Sequence, residues 1–375
     1  MLAQSREPVA GSAALNPETF PWRAWGSKAA NGTLANRPVS FRLSQACSTT
    51  KTLKEYRTKE ITSDCRWGRV RQRIAARNIS AARASKRSSI IRRTQVRTVT
   101  AIAARRFGNF ITKDFRRIFG SAHDDSAERL GALAQSTIEY LDRSDALYHN
   151  FEHTLQVTMV GRDILQGMAL AHRIEHSDYS HLIVACLLHD IGYMRGVLSG
   201  DTETEFVVDG SGNTIKLPRG ASDAALTAYH VDRSKIFALE RLKNSPFVDA
   251  VRVAAAIEMT RFPVPSDRIA DDGLEPKLVQ AADFIGQLGD PMYLRKANAL
   301  YYEFEEIGKN RQLGYSSPAD IIDKYPAFFW DSVSIHLEAG MKYLNMTVSG
   351  RQWIANLHHH ILCAERGRRL LGPQL

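Results

Sequence analysis

Leu147-Tyr148-His149-Asn150-Phe151-Glu152-His153, taken with Leu187-Leu188-His189-Asp190-Ile191-Gly192, decides how the chain is read. His149 and His153 are four residues apart, so on a helix or at its lip both imidazoles point the same way. His189 and Asp190 follow the apolar run Leu182–Leu188, which reads as a buried helix. Polar, metal-competent groups set straight after such a run are costly unless something binds them. Imidazole with carboxylate suits Zn, Mn, Fe or Mg.

Outward from these stretches, apolar residues recur at helical spacing almost to the end of the chain. Helices are predicted over Ala127–Leu141, Asn150–Met168, Ser177–His189, Ser222–Leu242, Phe247–Met259, Lys277–Leu288, Pro291–Ile307, Tyr325–Leu344 and Ser349–Leu370. The segment Gly196–Gly220 is rich in Gly, Asp and Thr and reads as a loop with a small hairpin around Gly210–Asn213. Strand signals are otherwise nearly absent, so the expected fold is an all-α, multi-helix bundle. The His-rich places outside the two opening stretches, His172, His176, His181 and His358–His360, are read as surface groups or a helix face.

The chain of 375 residues carries a net charge of +10, but unevenly. Residues 1–120 hold 25 Lys and Arg against 6 Asp and Glu, whereas the remainder holds 25 against 34. Two regions are therefore expected: 1–120, basic and largely disordered, and 121–375, the helical domain. Within the first, Val99–Ile118 is a possible helical piece, and Arg105–Phe119 is amphipathic through Phe107, Phe110, Ile111, Phe115 and Ile118. A basic arm of this kind is compatible with nucleic acid, an anionic membrane surface or an organelle address, and composition alone selects none of them. No apolar run approaches the roughly 20 residues a membrane span needs. The cysteines Cys47, Cys65, Cys186 and Cys363 form no CxxC pair, which fits a reducing, cytoplasmic setting.

Asp283 adds a further acid inside an otherwise apolar helix, Gln280–Gln287, where a lone carboxylate would be strongly destabilising without a partner. The order His153, His189-Asp190, Asp283 resembles the HD-domain metal-dependent phosphohydrolases. Tyr148–His153 further resembles the Tyr-His-Asn-x-x-His motif of the class I cyclic-nucleotide phosphodiesterases, and Ala282–Leu294 with the acidic run Tyr302–Glu306 resembles that family's last metal aspartate and following helix. The resemblance spans Leu147 to Ile307. It departs at Tyr193, where that family has a histidine.

The resemblance implies an HD-domain bundle that hydrolyses a phosphodiester similar to a cyclic nucleotide. It implies two divalent ions (Mn, Mg, Zn or Fe), with His153, His189, Asp190 and Asp283 as ligands and Asp190 also bridging to the second ion. A metal-bridging hydroxide would attack phosphorus and His149 would act as general acid. Arg195, His230 and Arg261 are candidate contacts to a small phosphorylated substrate, and Glu258 is a further residue that could reach the site. Two other activities, a nucleotide phosphomonoesterase and a (p)ppGpp-type hydrolase, and one non-enzymatic role, a degenerate nucleotide-binding or regulatory module, stand beside this reading.

Overall fold

The computed structural model describes residues 98–264 and 273–367, all of them within the unit Ser85–Leu375. The expectations for the basic arm before residue 98 lie outside the described residues. The chain begins with α1 (Val99–Phe119), capped by the Thr98 hydroxyl, which accepts from the Ala101 amide at 3.0 Å. It pairs with α2 (Asp124–Leu141). The two helices approach closely because Gly108 faces Gly131: a Cβ at Gly108 would lie 2.5 Å from the Gly131 carbonyl oxygen.

Helix α1 falls on the N-terminal side of the boundary drawn from composition at 120/121, yet it belongs to the bundle, and the boundary moves accordingly. Phe107, Ile111 and Phe115 are buried, and the buried Asp114 accepts hydrogen bonds from Arg162, Arg117, Gln166 and Tyr179. Burial disfavours the Asp114 carboxylate, but the Arg162 and Arg117 guanidiniums and Tyr179 outweigh it and hold its pKa below the ordinary value. Positive charge on the exposed side of α1 dominates its composition; the apolar stripe and this acid dictate its place.

Helix α3 (Phe151–Ala171) starts at Asn150, whose side chain accepts from the Glu152 amide. Helix α4 (His176–Leu188) is buried from Tyr179 to Leu188, as a helix apolar on every face must be. A 3₁₀ turn, Ile191–Tyr193, follows it, and then the loop with its hairpin, β1 (Glu205–Val207) pairing antiparallel with β2 (Thr214–Lys216). The predicted helix Ser222–Leu242 is broken. Ser222 caps a separate 3₁₀ turn, Asp223–Leu226, and α5 (His230–Leu242) begins only after the Thr227 carbonyl has been taken by the His230 ring at 2.6 Å.

Helix α6 (Ala250–Glu258), α7 (Leu274–Leu288) and α8 (Tyr293–Glu306) follow. Short helices α9 (Lys309–Leu313), α10 (Pro318–Asp323) and α11 (Tyr325–Phe328) come next. The predicted helix Tyr325–Leu344 is also interrupted, by a π turn at Phe329–Val333 and a 3₁₀ turn at Ser334–His336, before α12 (Glu338–Leu344) and α13 (Val348–Glu365) close the described chain. The fold is mostly helical. No helix of the described residues is long and apolar enough to cross a membrane.

His181 is a correction: it is buried, with Nδ1 donating to the Ser177 carbonyl and Nε2 accepting from the Asp249 amide. His360 is buried as well, its Nδ1 donating to the Leu288 carbonyl at 2.8 Å.

Candidate metal centre

Three elements supply the centre. His153 stands in the first turn of α3, His189 is the C-cap of α4 with Asp190 next to it, and Asp283 projects from α7. Two glycines set their spacing. A Cβ at Gly286 would come 2.7 Å from the Val157 Cα, so α3 and α7 touch backbone to backbone one turn beyond His153 and Asp283. A Cβ at Gly192 would lie 2.0 Å from the His230 carbonyl oxygen, so the His-Asp turn lies directly against α5. The Gly192 amide donates to Ser234 Oγ, and the fully buried Arg233 binds the Gly192, Met194 and Val207 carbonyls together with Asp201.

The donor atoms converge. His153 Nε2 is 3.3 Å from His189 Nε2 and 3.3 Å from Asp190 Oδ2, and His189 Nε2 is 3.2 Å from the same oxygen. Asp283 Oδ1 lies 3.3 Å from His153 Nε2 and 3.5 Å from His189 Nε2. Ligand bonds of about 2.0–2.2 Å place neighbouring donors roughly 3.0–3.4 Å apart, so the spacing of His153, His189 and Asp190 fits one divalent ion. Two further observations agree. The buried Asp190 Oδ2 has no hydrogen-bond donor, which a cation would satisfy. His189 Nδ1 donates to the Cys186 carbonyl at 2.9 Å, which leaves the Nε2 lone pair facing the cluster. His153, His189 and Asp190 can together hold a metal ion, and Asp283 closes on both rings.

The electrostatics are those of a proton-hungry cage. Burial opposes charge on both rings, but the close carboxylates of Asp190 and Asp283 outweigh it: His153 is raised, and His189 is raised well above the ordinary imidazole value. Burial likewise opposes the carboxylates, and the histidines outweigh it, holding Asp190 well below its ordinary value and Asp283 at about 2. A cation binding here displaces those ring protons.

His149 lies just before α3, its ring 5.5 Å from that of His153 and perpendicular to it. Its Nδ1 is 2.5 Å from Glu303 Oε2, and Glu303 Oε1 also accepts from the Tyr148 and His149 amides. Burial would raise the Glu303 pKa, but His149 and these amides lower it, so the group is held as a carboxylate. His230 points Nε2 toward Asp190 Oδ1 at 3.7 Å. Between these two histidines lies Tyr193, its ring stacked 4.7 Å from His149 on one side and 4.4 Å from His230 on the other. The residue that departs from the resemblance thus fixes the spacing of two imidazoles.

All these groups except His189 and Glu303 line one cavity of about 180 Å³. Its other walls are aromatic and aliphatic, with Phe262, Phe284, Phe304 and Phe328 among them, and with Gln287 and Lys309 as added polar groups. Arg195 and Arg261 do not line it. Arg195 is used by Asp223 and Asp145 at 2.6 Å each and by the Ala221 carbonyl. Arg261 pairs with Glu258 and Asp232, and Glu258 also takes Lys235, so these charges join α5 to α6. The structure brings His153, His189, Asp190 and Asp283 together with His149 beside them, as the sequence led one to expect, whereas Glu303, Lys309 and the aromatic wall were not singled out. Glu303 had a signal: it continues the buried stripe Tyr293, Leu294, Ala297, Leu300 of α8, where an acid needs a partner.

Residues 98–367 match the Npun_R2479-like family. The chain belongs to that family. The match starts at Thr98, the cap of α1, so the family's extent includes the helix that composition had set aside. No curated protein and no solved structure matches the chain.

Proposed function

We propose that this Npun_R2479-like protein is a metal-dependent phosphohydrolase of the HD-domain type, acting on a phosphodiester similar to a cyclic nucleotide. The observation that carries the reading is the convergence of His153, His189, Asp190 and Asp283 beside a histidine that Glu303 holds at the rim of the same cavity. Bound divalent ions of the Mn, Mg, Zn or Fe class would supply a water acidic enough to react at neutral pH and would screen phosphate charge. His153, His189, Asp190 and Asp283 would hold the first. Asp190 Oδ1, turned toward His230, would serve a second.

The chain's own residues account for the proton. Glu303 accepts from His149 Nδ1 and so leaves Nε2 as the nitrogen able to donate to a leaving oxygen. Tyr193 keeps the His149 ring from turning away. Gln287 and Phe284 line the same cavity and offer an amide donor and acceptor and an aromatic face, a combination suited to the edge and face of a planar base.

The test uses the full chain loaded with Mn and follows release of 5′-nucleotide from cAMP and cGMP, with bis-p-nitrophenyl phosphate alongside. Turnover that a chelator removes is expected. His149→Ala should lower kcat roughly 10²–10⁴-fold while metal content stays the same, and Asp190→Ala should lose both. Metal retained in full by Asp190→Ala, or an unchanged kcat in His149→Ala, would overturn the assignment.

A further inference from the structure

Lys309 is a half-buried ammonium on the wall of the metal-site cavity. It is placed there by Gly308, whose φ of +71° turns the chain out of α8 and starts α9. The buried Asn310 then pins the turn, donating to the Tyr301 carbonyl and to Glu305. The Lys309 Nζ lies 4.9 Å from the centre of the Phe304 ring, and the cavity wall around it is apolar, with Leu313, Tyr315 and Ile321. Among the described residues it forms no ion pair, not even with Asp190 or Asp283, which line the same cavity. Burial alone, with no carboxylate to offset it, lowers its pKa.

A charge withdrawn from water is costly unless it is paired, and lysines are almost never fully buried without a partner. Arg195, Arg252 and Arg261 show the ordinary pattern in this chain, each held by two carboxylates. Lys309 departs from it on the wall of the cavity that His153, Asp190 and Asp283 also line. Its amine forms no ion pair with the carboxylates of the centre, so it is available to an anionic group of a molecule bound in that cavity.

We propose that Lys309 is a specificity-determining residue that binds a second anionic group of the substrate, a carboxylate or phosphate separated from the metal-facing phosphoester by an aromatic or apolar body. The inference rests on the phosphohydrolase reading for the identity of the first group, but not for the anion contact itself. The cavity volume of about 180 Å³ suits such a spacer, since an apolar cavity of about 150 Å³ accepts benzene.

Two measurements separate the claims. Calorimetry compares phenylphosphonate with 4-phosphonobenzoate on the Mn-loaded full chain, in the natural protein, Lys309→Met and Lys309→Arg. Kinetics compares bis-p-nitrophenyl phosphate with 4-carboxyphenyl 4-nitrophenyl phosphate in the same variants. The carboxylated ligand should bind roughly tenfold or more tightly, and Lys309→Met should remove that gap while Lys309→Arg keeps most of it. KM for the carboxylated diester should rise about as much in Lys309→Met, with KM for the plain diester unchanged. A calorimetric gap that depends on Lys309, without any turnover, would sustain the anion site and sink the phosphohydrolase reading. No gap in the natural protein, or the same gap in Lys309→Met, would reduce Lys309 to a solvated lysine over Phe304 and overturn the proposal.

Discussion

A single missing methyl group holds α3 and α7 together. Gly286 meets the Val157 backbone one turn from Asp283 and His153, so any side chain there acts on the ligand spacing as well as on packing. Alanine gains up to about 1 kcal/mol in helix propensity, but overpacking at a backbone contact costs about 1–3 kcal/mol. Gly286→Ala should therefore lower stability slightly and metal affinity strongly, measured by urea unfolding and by metal content after dialysis. Full metal content in a destabilised variant would separate the helix contact from the site. The same scale explains why arginines mislead. Arg195 and Arg261 were attractive as phosphate binders because Arg grips oxyanions bidentately, yet the carboxylates that satisfy them, Asp145, Asp223, Asp232 and Glu258, are up to 50 residues away in sequence.

Between α5 and α6 the charges of Lys235, Asp232, Glu258 and Arg261 form one network. Burial would raise the Glu258 pKa, but Arg261 and Lys235 bring it down to about 2 from 4.5. A lowered carboxylate pKa stabilises the fold above the unfolded value, and that contribution is lost as pH falls from about 4.5 to 2. Glu258→Gln should cost on the order of 1 kcal/mol at pH 7, as partly exposed pairs do, and almost nothing near pH 2. Chemical denaturation at the two pH values checks it; a difference independent of pH would show that packing, and not charge, is what the substitution removes. KM for the proposed substrate should not move. Helix α1 belongs to this scale too. Its composition is basic, and only its stripe and Asp114 betray that it packs, because charge on an exposed face says nothing about the face beneath it.

For the bundle as a whole, the centre joins α3, α4 and α7, three helices distant in sequence, so a bound ion is a cross-link that the unfolded chain lacks. Binding to the native state alone adds about 2.7 kcal/mol at a hundredfold excess over Kd. Saturating Mn or Zn should raise Tm by several degrees in the natural protein and leave Asp190→Ala unmoved, as thermal scans with and without chelator will report. An equal rise in both proteins would place the metal effect elsewhere in the molecule.

The sequence by itself determined the helical class and most helix positions and singled out the residues that cluster at the candidate metal centre, because helical periodicity and an acid or imidazole inside an apolar run are local signals. His153, His189-Asp190 and Asp283 could each be read from their immediate neighbours. What only the tertiary structure decided were the facts set by distant partners. They include the breaks at Thr227 and at Phe329–Val333 in helices expected to be continuous, and the burial of His181 against Asp249. They include Tyr193 between two histidines, Glu303 behind His149 across 154 residues, and Lys309 on the cavity wall without a carboxylate. Periodicity reports which face of an element is buried; it does not report what that face meets, and in this chain the meeting of faces assembles the cavity around the candidate metal centre.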